Sequence, residues 1–213
     1  MKYMGSKNRI AKHILPIMLE HKTEDMVWVE PFVGGANMID KVEGKRIGAD
    51  LNEYVISLLN QMSKPNYKSP EINEEKYKDI KKYPNQYPRW IVGYAGTQLS
   101  FGATWFGSYR RDKQGKRNYC QEAQNNVNKQ SKNIQGVKFI HSSYQDLEIP
   151  KNSIIYCDPP YLNTNDNYSN SFTKEDTIEL FKTLEETKCK YAVSEFDHSL
   201  MYDIADNYNL NLI

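Results

Sequence analysis

Apolar runs of four or five residues recur along the chain, separated by stretches in which apolar positions return every three or four residues. Met26-Val-Trp-Val-Glu30 enters a Gly-Gly turn and reads as a buried strand, and Arg46-Ile-Gly-Ala-Asp50 as a second. Val137-Lys-Phe-Ile140, Ser153-Ile-Ile-Tyr-Cys157, Tyr191-Ala-Val-Ser194 and Leu210-Asn-Leu-Ile213 continue the strand series. Ser6 can cap a helix from Lys7 to Glu20 with Ile10, Ile14 and Ile17 or Met18 on one face, and Pro16 predicts a kink or a split. A helix through Tyr54, Ile56, Leu58 and Leu59 follows the second strand. Further helices are expected over Arg89 to Ser100 and Tyr119 to Lys132. Thr173 can cap another over Lys174 to Lys188, with Asp176 in place of the usual Glu or Gln of a capping box. Short buried strands alternating with helices predict an α/β fold with a mostly parallel sheet covered on both faces. From Ser63 to Pro88 the text turns polar and rich in Pro, Lys, Asn and Tyr, which marks an inserted region. Residues 1–60 and 134–213 then form the frame, and residues 61–133 a mainly helical insertion.

Composition narrows the class. The chain has 213 residues, 39% hydrophobic, enough for one core with a subdomain insert. Its apolar runs are too short to span a bilayer, and no basic stretch leads into an apolar segment at its start. A cytoplasmic protein is expected. Cys120, Cys157 and Cys189 are widely spaced and lack metal-ligand clustering, which argues against a disulfide framework and a zinc site.

The net charge of +1 speaks against a nucleic-acid partner only until it is partitioned. Met1 to Leu59 balances eight basic against eight acidic residues. Asn60 to Ile140 carries fifteen basic and six acidic, a surplus of nine, and the remainder five basic and thirteen acidic, a deficit of eight. The insertion is the basic block.

Asp158-Pro159-Pro160-Tyr161 directly follows the strand that ends at Cys157. Ligands of open α/β sheets bind outside the carboxyl ends of strands, so the tetrapeptide stands where chemistry is expected. An amino group conjugated to a heterocycle is a poor nucleophile because its lone pair is spread into the ring. Ionised Asp158 can accept one of its N–H groups and the Pro159 carbonyl the other, which favours a tetrahedral nitrogen. Pro160 holds Pro159 extended, and Tyr161 offers a stacking face for an extruded base. The plain alternative is a strand followed by a proline turn.

Glu30-Pro31-Phe32-Val33-Gly34-Gly35-Ala36 also follows a strand, and its glycines allow close approach to a ligand. Asp50 ends the next strand, where a carboxylate can hold ribose hydroxyls or cap the following helix. Lys7, in the first turn of a helix, runs against the dipole preference, which points to service elsewhere, such as to a carboxylate; the plain alternative is a solvated lysine. From Trp105 to Tyr119 aromatics interleave with five cations around a turn at Asp112 to Gly115. Such cations engage phosphates, while Arg and Asn read base edges. The plain alternative is a solvated basic loop.

Together these segments resemble the Dam-like (D12 class) DNA adenine-N6 methyltransferases, phage and prophage members especially. Lys2, Tyr3, Gly5 and Lys7 match the family's opening segment, Glu30 to Gly34 its Glu-Pro-Phe-x-Gly loop, and Asp50 its acidic strand end. Asp158 to Tyr161 matches the catalytic signature, Ser171-Phe172-Thr173 the loop beyond it, and Ser194-Glu195 a later strand segment. The resemblance implies a Rossmann-like sheet that uses S-adenosylmethionine, with residues 61–133 as the DNA target-recognition region. It implies Asp158, Pro159, Pro160 and Tyr161 as the catalytic residues. Tyr3 and Lys7 would meet the cofactor's amino-acid end, Asp50 its ribose, and Pro31, Phe32 and Gly34 its pocket. Tyr144 would flank its adenine, and Asp158 would stand between cofactor and base. Trp105, Tyr109, Arg110, Arg111, Lys113, Lys116, Arg117 and Asn118 would meet double-stranded DNA. No metal and no membrane enter this reading, and the protein is expected as a monomer or weak dimer. Relatives usually continue past a segment like Leu210 to Ile213, so the sheet is expected to lack its last strand. Cytosine N4, RNA adenine or a protein amide as acceptor stays open, as does a DNA-binding module impaired in catalysis.

Overall fold

The computed structural model describes residues 1–112, 114–162 and 172–213; Lys113 and Ser171, named above, lie outside these. Five parallel strands form one sheet in the order β3-β2-β1-β4-β5: β1 (Val27–Glu30), β2 (Arg46–Asp50), β3 (Lys138–His141), β4 (Ser153–Cys157) and β5 (Lys190–Val193). β1 and β4 are neighbours, with Val29 opposite Ile155, and the chain order reverses between them. That reversal is where a doubly wound sheet opens a crevice at its carboxyl edge.

Alternation along β4 covers both faces. Ile154 and Tyr156 join Trp28 of β1 in the larger core, while Ile155 and Cys157 join Val29 and Ala49 on the opposite side. The larger core is filled by α1 (Ala11–Leu19), α2 (Glu53–Met62), α3 (Glu74–Lys82), α4 (Arg89–Gln98) and α5 (Tyr119–Asn133). Leu180 and Leu184 of α6 (Lys174–Thr187) cover the other face, and α7 (Ser199–Tyr208) packs on Phe181. Thr173 and Asp176 close a reciprocal capping box at the start of α6. No helix among the described residues is long and apolar enough to cross a membrane.

Three expectations change. The first helix breaks at Ile10, between a 3-10 turn at Lys7–Arg9 and α1, and it runs on through Pro16. Pro16 lies on the exposed side, as does Lys12, whose carbonyl its missing N–H would have bound. The buried face is Ala11, Leu15 and Met18, with Ile10 and Ile17 turned outward. Leu210 to Ile213 is not a strand among the described residues. Asn209 takes a left-handed conformation (φ 54°) that ends α7, and the Leu210 N–H bonds back to the Ala205 carbonyl. The cap on α2 belongs to Asn52, whose side chain accepts from the N–H groups of Tyr54 and Val55, rather than to Asp50.

Candidate active site and nucleic-acid interface

Five segments meet beyond the carboxyl ends of the strands. Asp158 leaves β4, Glu30 ends β1, Asp50 ends β2, Glu195 follows β5, and the amino-terminal segment folds over them. Tyr3 lies on the glycine loop so closely that a Cβ on Gly34 would fall 2.8 Å from its ring and one on Gly35 2.6 Å from its Cβ. Lys2 is tied to α4 by a reciprocal pair, its N–H donating to Gln98 Oε1 and its carbonyl accepting from Gln98 Nε2, both at 2.9 Å.

Lys7 is brought to Asp158. Its Nζ lies 2.7 Å from Asp158 Oδ1, with the side chains 12% and 20% exposed, and 4.6 Å from the centre of the Tyr161 ring. The ammonium also donates to the Gly5 carbonyl at 3.1 Å. Its approach to Oδ1 is a charge contact off the angle of a hydrogen bond, so this buried oxygen has no aligned donor. Burial pushes the Asp158 carboxyl above its ordinary range, against the opposing pull of Lys7 and of the Tyr161 hydroxyl. Pro159 is buried, and Phe196 sets its ring against Tyr161 at 4.5 Å between centroids and 72° between planes.

The glycine loop is fixed by Asp50. Oδ2 accepts from the Gly34 N–H at 2.9 Å and Oδ1 from the Asn52 N–H at 2.8 Å. Each oxygen keeps a second lone pair that can receive a hydroxyl. Pro31 is buried beneath the loop, and Phe32 gathers with Tyr144 (5.4 Å) and Phe172 (6.1 Å) into an aromatic cluster at the same edge. A hydroxyl-accepting carboxylate beside aromatic faces suits a nucleoside, through its ribose and its base. Among the described residues no group of three or more His, Cys, Asp or Glu is placed to hold a metal.

The residues expected at DNA separate into two kinds. Trp105 packs against Tyr54 (5.4 Å) and Phe106, Tyr109 donates its hydroxyl to the Ile72 carbonyl at 3.1 Å, and Asn118 caps α5. Arg110 is half-buried, its guanidinium 4.4 Å from the Tyr119 ring. Tyr109, Arg110 and Asn118 hold the insertion together, whereas Trp105, 41% exposed, lies on Tyr54 of α2. Arg111 and Arg117 are exposed and paired with Glu74 and Glu122 at 2.8 Å, and Lys116 is exposed. The turn carrying Lys116 is built on Asp112, whose carboxylate accepts three backbone N–H groups, from Gln114, Lys116 and Arg117.

Two further residues stand at the site: Glu195, noted in the sequence only as part of a matching segment and given no role, and Phe196. Glu195 accepts from the Phe196 N–H at 2.8 Å and faces the Leu162 N–H at 3.4 Å, and burial raises its carboxyl. An acidic residue just past an apolar run is the signal that marked Asp50 and Asp158, and it applies equally to Glu195. Phe196 carries no such signal.

The family model for D12 class N6 adenine-specific DNA methyltransferase matches residues 3–211. The Type II methyltransferase M.FokI of Planomicrobium okeanokoites is 26% identical over 206 residues, covering 79% of this chain and 30% of that protein. The chain thus spans less than a third of the length of this curated relative. With the family match running from the amino-terminal Tyr3 past α7, and the site at the sheet's reversal point, the chain belongs to the D12 class of N6 adenine-specific DNA methyltransferases.

Proposed function

We propose that this chain transfers a methyl group from S-adenosylmethionine to N6 of an adenine extruded from double-stranded DNA. The observation that carries this reading is the buried Oδ1 of Asp158, which lacks an aligned donor and lies beside Lys7 in the tetrapeptide that carries Tyr161. An amino N–H arriving there supplies the missing hydrogen bond, and the Pro159 carbonyl accepts the second N–H. Held by two acceptors, the nitrogen directs its lone pair away from the ring system. The cofactor, when bound, supplies an electrophilic methyl group. Tyr3, the Gly34 turn, Asp50, and Phe32 with Tyr144 would hold it, Asp50 through ribose hydroxyls and the aromatic pair through its adenine. The nitrogen would gain the methyl carbon as the carbon–sulfur bond breaks, the electron pair leaving with the neutral thioether product, and would shed one proton, which ionised Asp158 would accept.

Residues 61–133 would serve as the DNA-reading region, with Arg111, Lys116 and Arg117 turned outward toward phosphates. The amino-terminal segment, bound to Gln98 of α4 and to the glycine loop, links that region to the site. Incubation with S-adenosylmethionine and unmodified duplex, followed by mass analysis of nucleosides, tests the assignment. N6-methyladenine is the expected product; methylcytosine alone overturns it.

A further inference from the structure

Lys7 occupies both surfaces that an incoming base needs. Its ammonium touches the acceptor oxygen of Asp158 and lies over the ring of Tyr161, the stacking face. We propose that Lys7 is a positioning residue that stands in the acceptor's place: in the substrate-free protein it holds Asp158 ionised and aimed, and it withdraws when the base enters. This inference rests on the proposed base-methylating function.

Three observations support a stand-in over a permanent partner. First, the contact with Oδ1 is close but misaligned, so an N–H donor of proper angle improves on it. Second, the ammonium already has another partner in the Gly5 carbonyl. Third, Gly5 has φ +72° and a Cβ there would meet nothing within 4 Å, so the turn that carries Lys7 borders open space.

Charge explains why a stand-in is needed. Asp158 is faced by Lys7 from the amino-terminal segment, Glu30 from β1, Tyr156 and Cys157 from β4, Tyr161 beyond it, and Glu195 beyond β5. Lys7 is the one cation in that group. Without it, burial would favour the protonated, neutral acid against the Tyr161 hydroxyl alone, and that acid cannot accept an N–H through that oxygen as strongly. A permanent cation would instead compete with the base for the same oxygen and oppose positive charge developing on its nitrogen.

The pH dependence separates these roles, because kcat/KM reports the free enzyme and kcat the substrate complex. In Lys7→Met the acidic limb of kcat/KM for methylation of duplex is expected to move to higher pH, while the limb of kcat keeps its position. Lys7→Arg should restore the wild-type limb. A measurement without substrate or cofactor accompanies this one: carbon-13 NMR titration of aspartate carboxyls, with Asp158→Asn identifying the signal. Asp158 is expected to titrate at higher pH in Lys7→Met than in the wild type; an unchanged titration overturns the proposal. Both kinetic limbs moving together also overturns it, because Lys7 would then remain on the carboxylate in the complex. If Lys7→Met does not fold, Lys7→Gln takes its place in both arms. A wild-type protein that methylates no nucleic acid defeats the functional reading instead, and the NMR arm still decides the role of the ion pair.

Discussion

The indole Nε1–H of Trp28 donates to the carboxyl of Glu30 at 2.7 Å, between two residues of β1 that are 0% and 3% exposed. Positions two apart on a strand share a face, so the pair follows from the Trp-Val-Glu spelling. Desolvation, against the Trp28 hydrogen bond, pushes the Glu30 carboxyl from 4.5 up to about 8, and nearby Asp40 and Asp158 add to the rise. Folding therefore takes up a proton between those two values. Stability is expected to fall as pH rises from about 4.5 to 8 and to level off above. Glu30→Gln keeps the acceptor for Trp28 and removes the titration. Urea unfolding at both ends of that range should show the wild type losing more stability than the variant; equal losses would refute a proton held by Glu30.

Asp158→Asn keeps the shape of the side chain but loses its charge. Methyl transfer is expected to drop by about two to three orders of magnitude, the scale for loss of one group that stabilises developing charge. Duplex binding, measured by anisotropy, should persist, because the outward cations of the insertion lie elsewhere in the sequence and are untouched. Loss of folding in this variant would instead point to the plain proline-turn reading.

The central strands of the frame were legible because they are buried on both faces, and burial writes them as unbroken apolar runs such as Ser153-Ile-Ile-Tyr-Cys157. α3 was not, because only Tyr77 and Ile80 of its nine residues are buried and the rest read as solvated charge. The end of the chain misled for the opposite reason: Leu210 and Leu212 alternate like a strand, yet Leu210 packs beside α7 and Leu212 is 58% exposed. At the site, the strand ends declared their carboxylates. The meeting of Lys7 with Asp158 did not, because no local pattern records which distant segment folds over a sheet. The basic block was likewise a true sum with a hidden division. Arg110 and Arg117 both lie against the Tyr119 ring, Arg117 also gripping Glu122 through two nitrogens, while Arg111 faces outward beside Glu74.

Exposed ion pairs exchange partners readily, so Arg111 can leave Glu74 for a phosphate, and Arg117 can do so by giving up Glu122 and the Tyr119 ring. Each of Arg111→Ala and Arg117→Ala is expected to weaken duplex binding across sequences and to lower the slope of log affinity against log salt by about one. Titrations at several potassium chloride concentrations measure that slope. Unchanged slopes in both variants would remove this face from the DNA interface.

Gly93 lies where α4 crosses α2. A Cβ there would fall 2.3 Å from the Tyr54 carbonyl oxygen and 3.4 Å from Leu58 Cβ. Replacing glycine by alanine inside an exposed helix ordinarily stabilises it, by roughly 0.5–1 kcal/mol. Here the methyl meets backbone, which cannot turn aside as a side chain would, and the helices must separate. Gly93→Ala is therefore expected to reverse the usual sign and destabilise by about 1–3 kcal/mol. Because α4 also carries Gln98, the anchor of Lys2, the same separation should loosen the amino-terminal segment over the site and reduce methyl transfer. Denaturant midpoints with an unchanged slope would measure the first effect, and kcat/KM on duplex the second. A stabilised Gly93→Ala would mean that the two helices do not approach this closely.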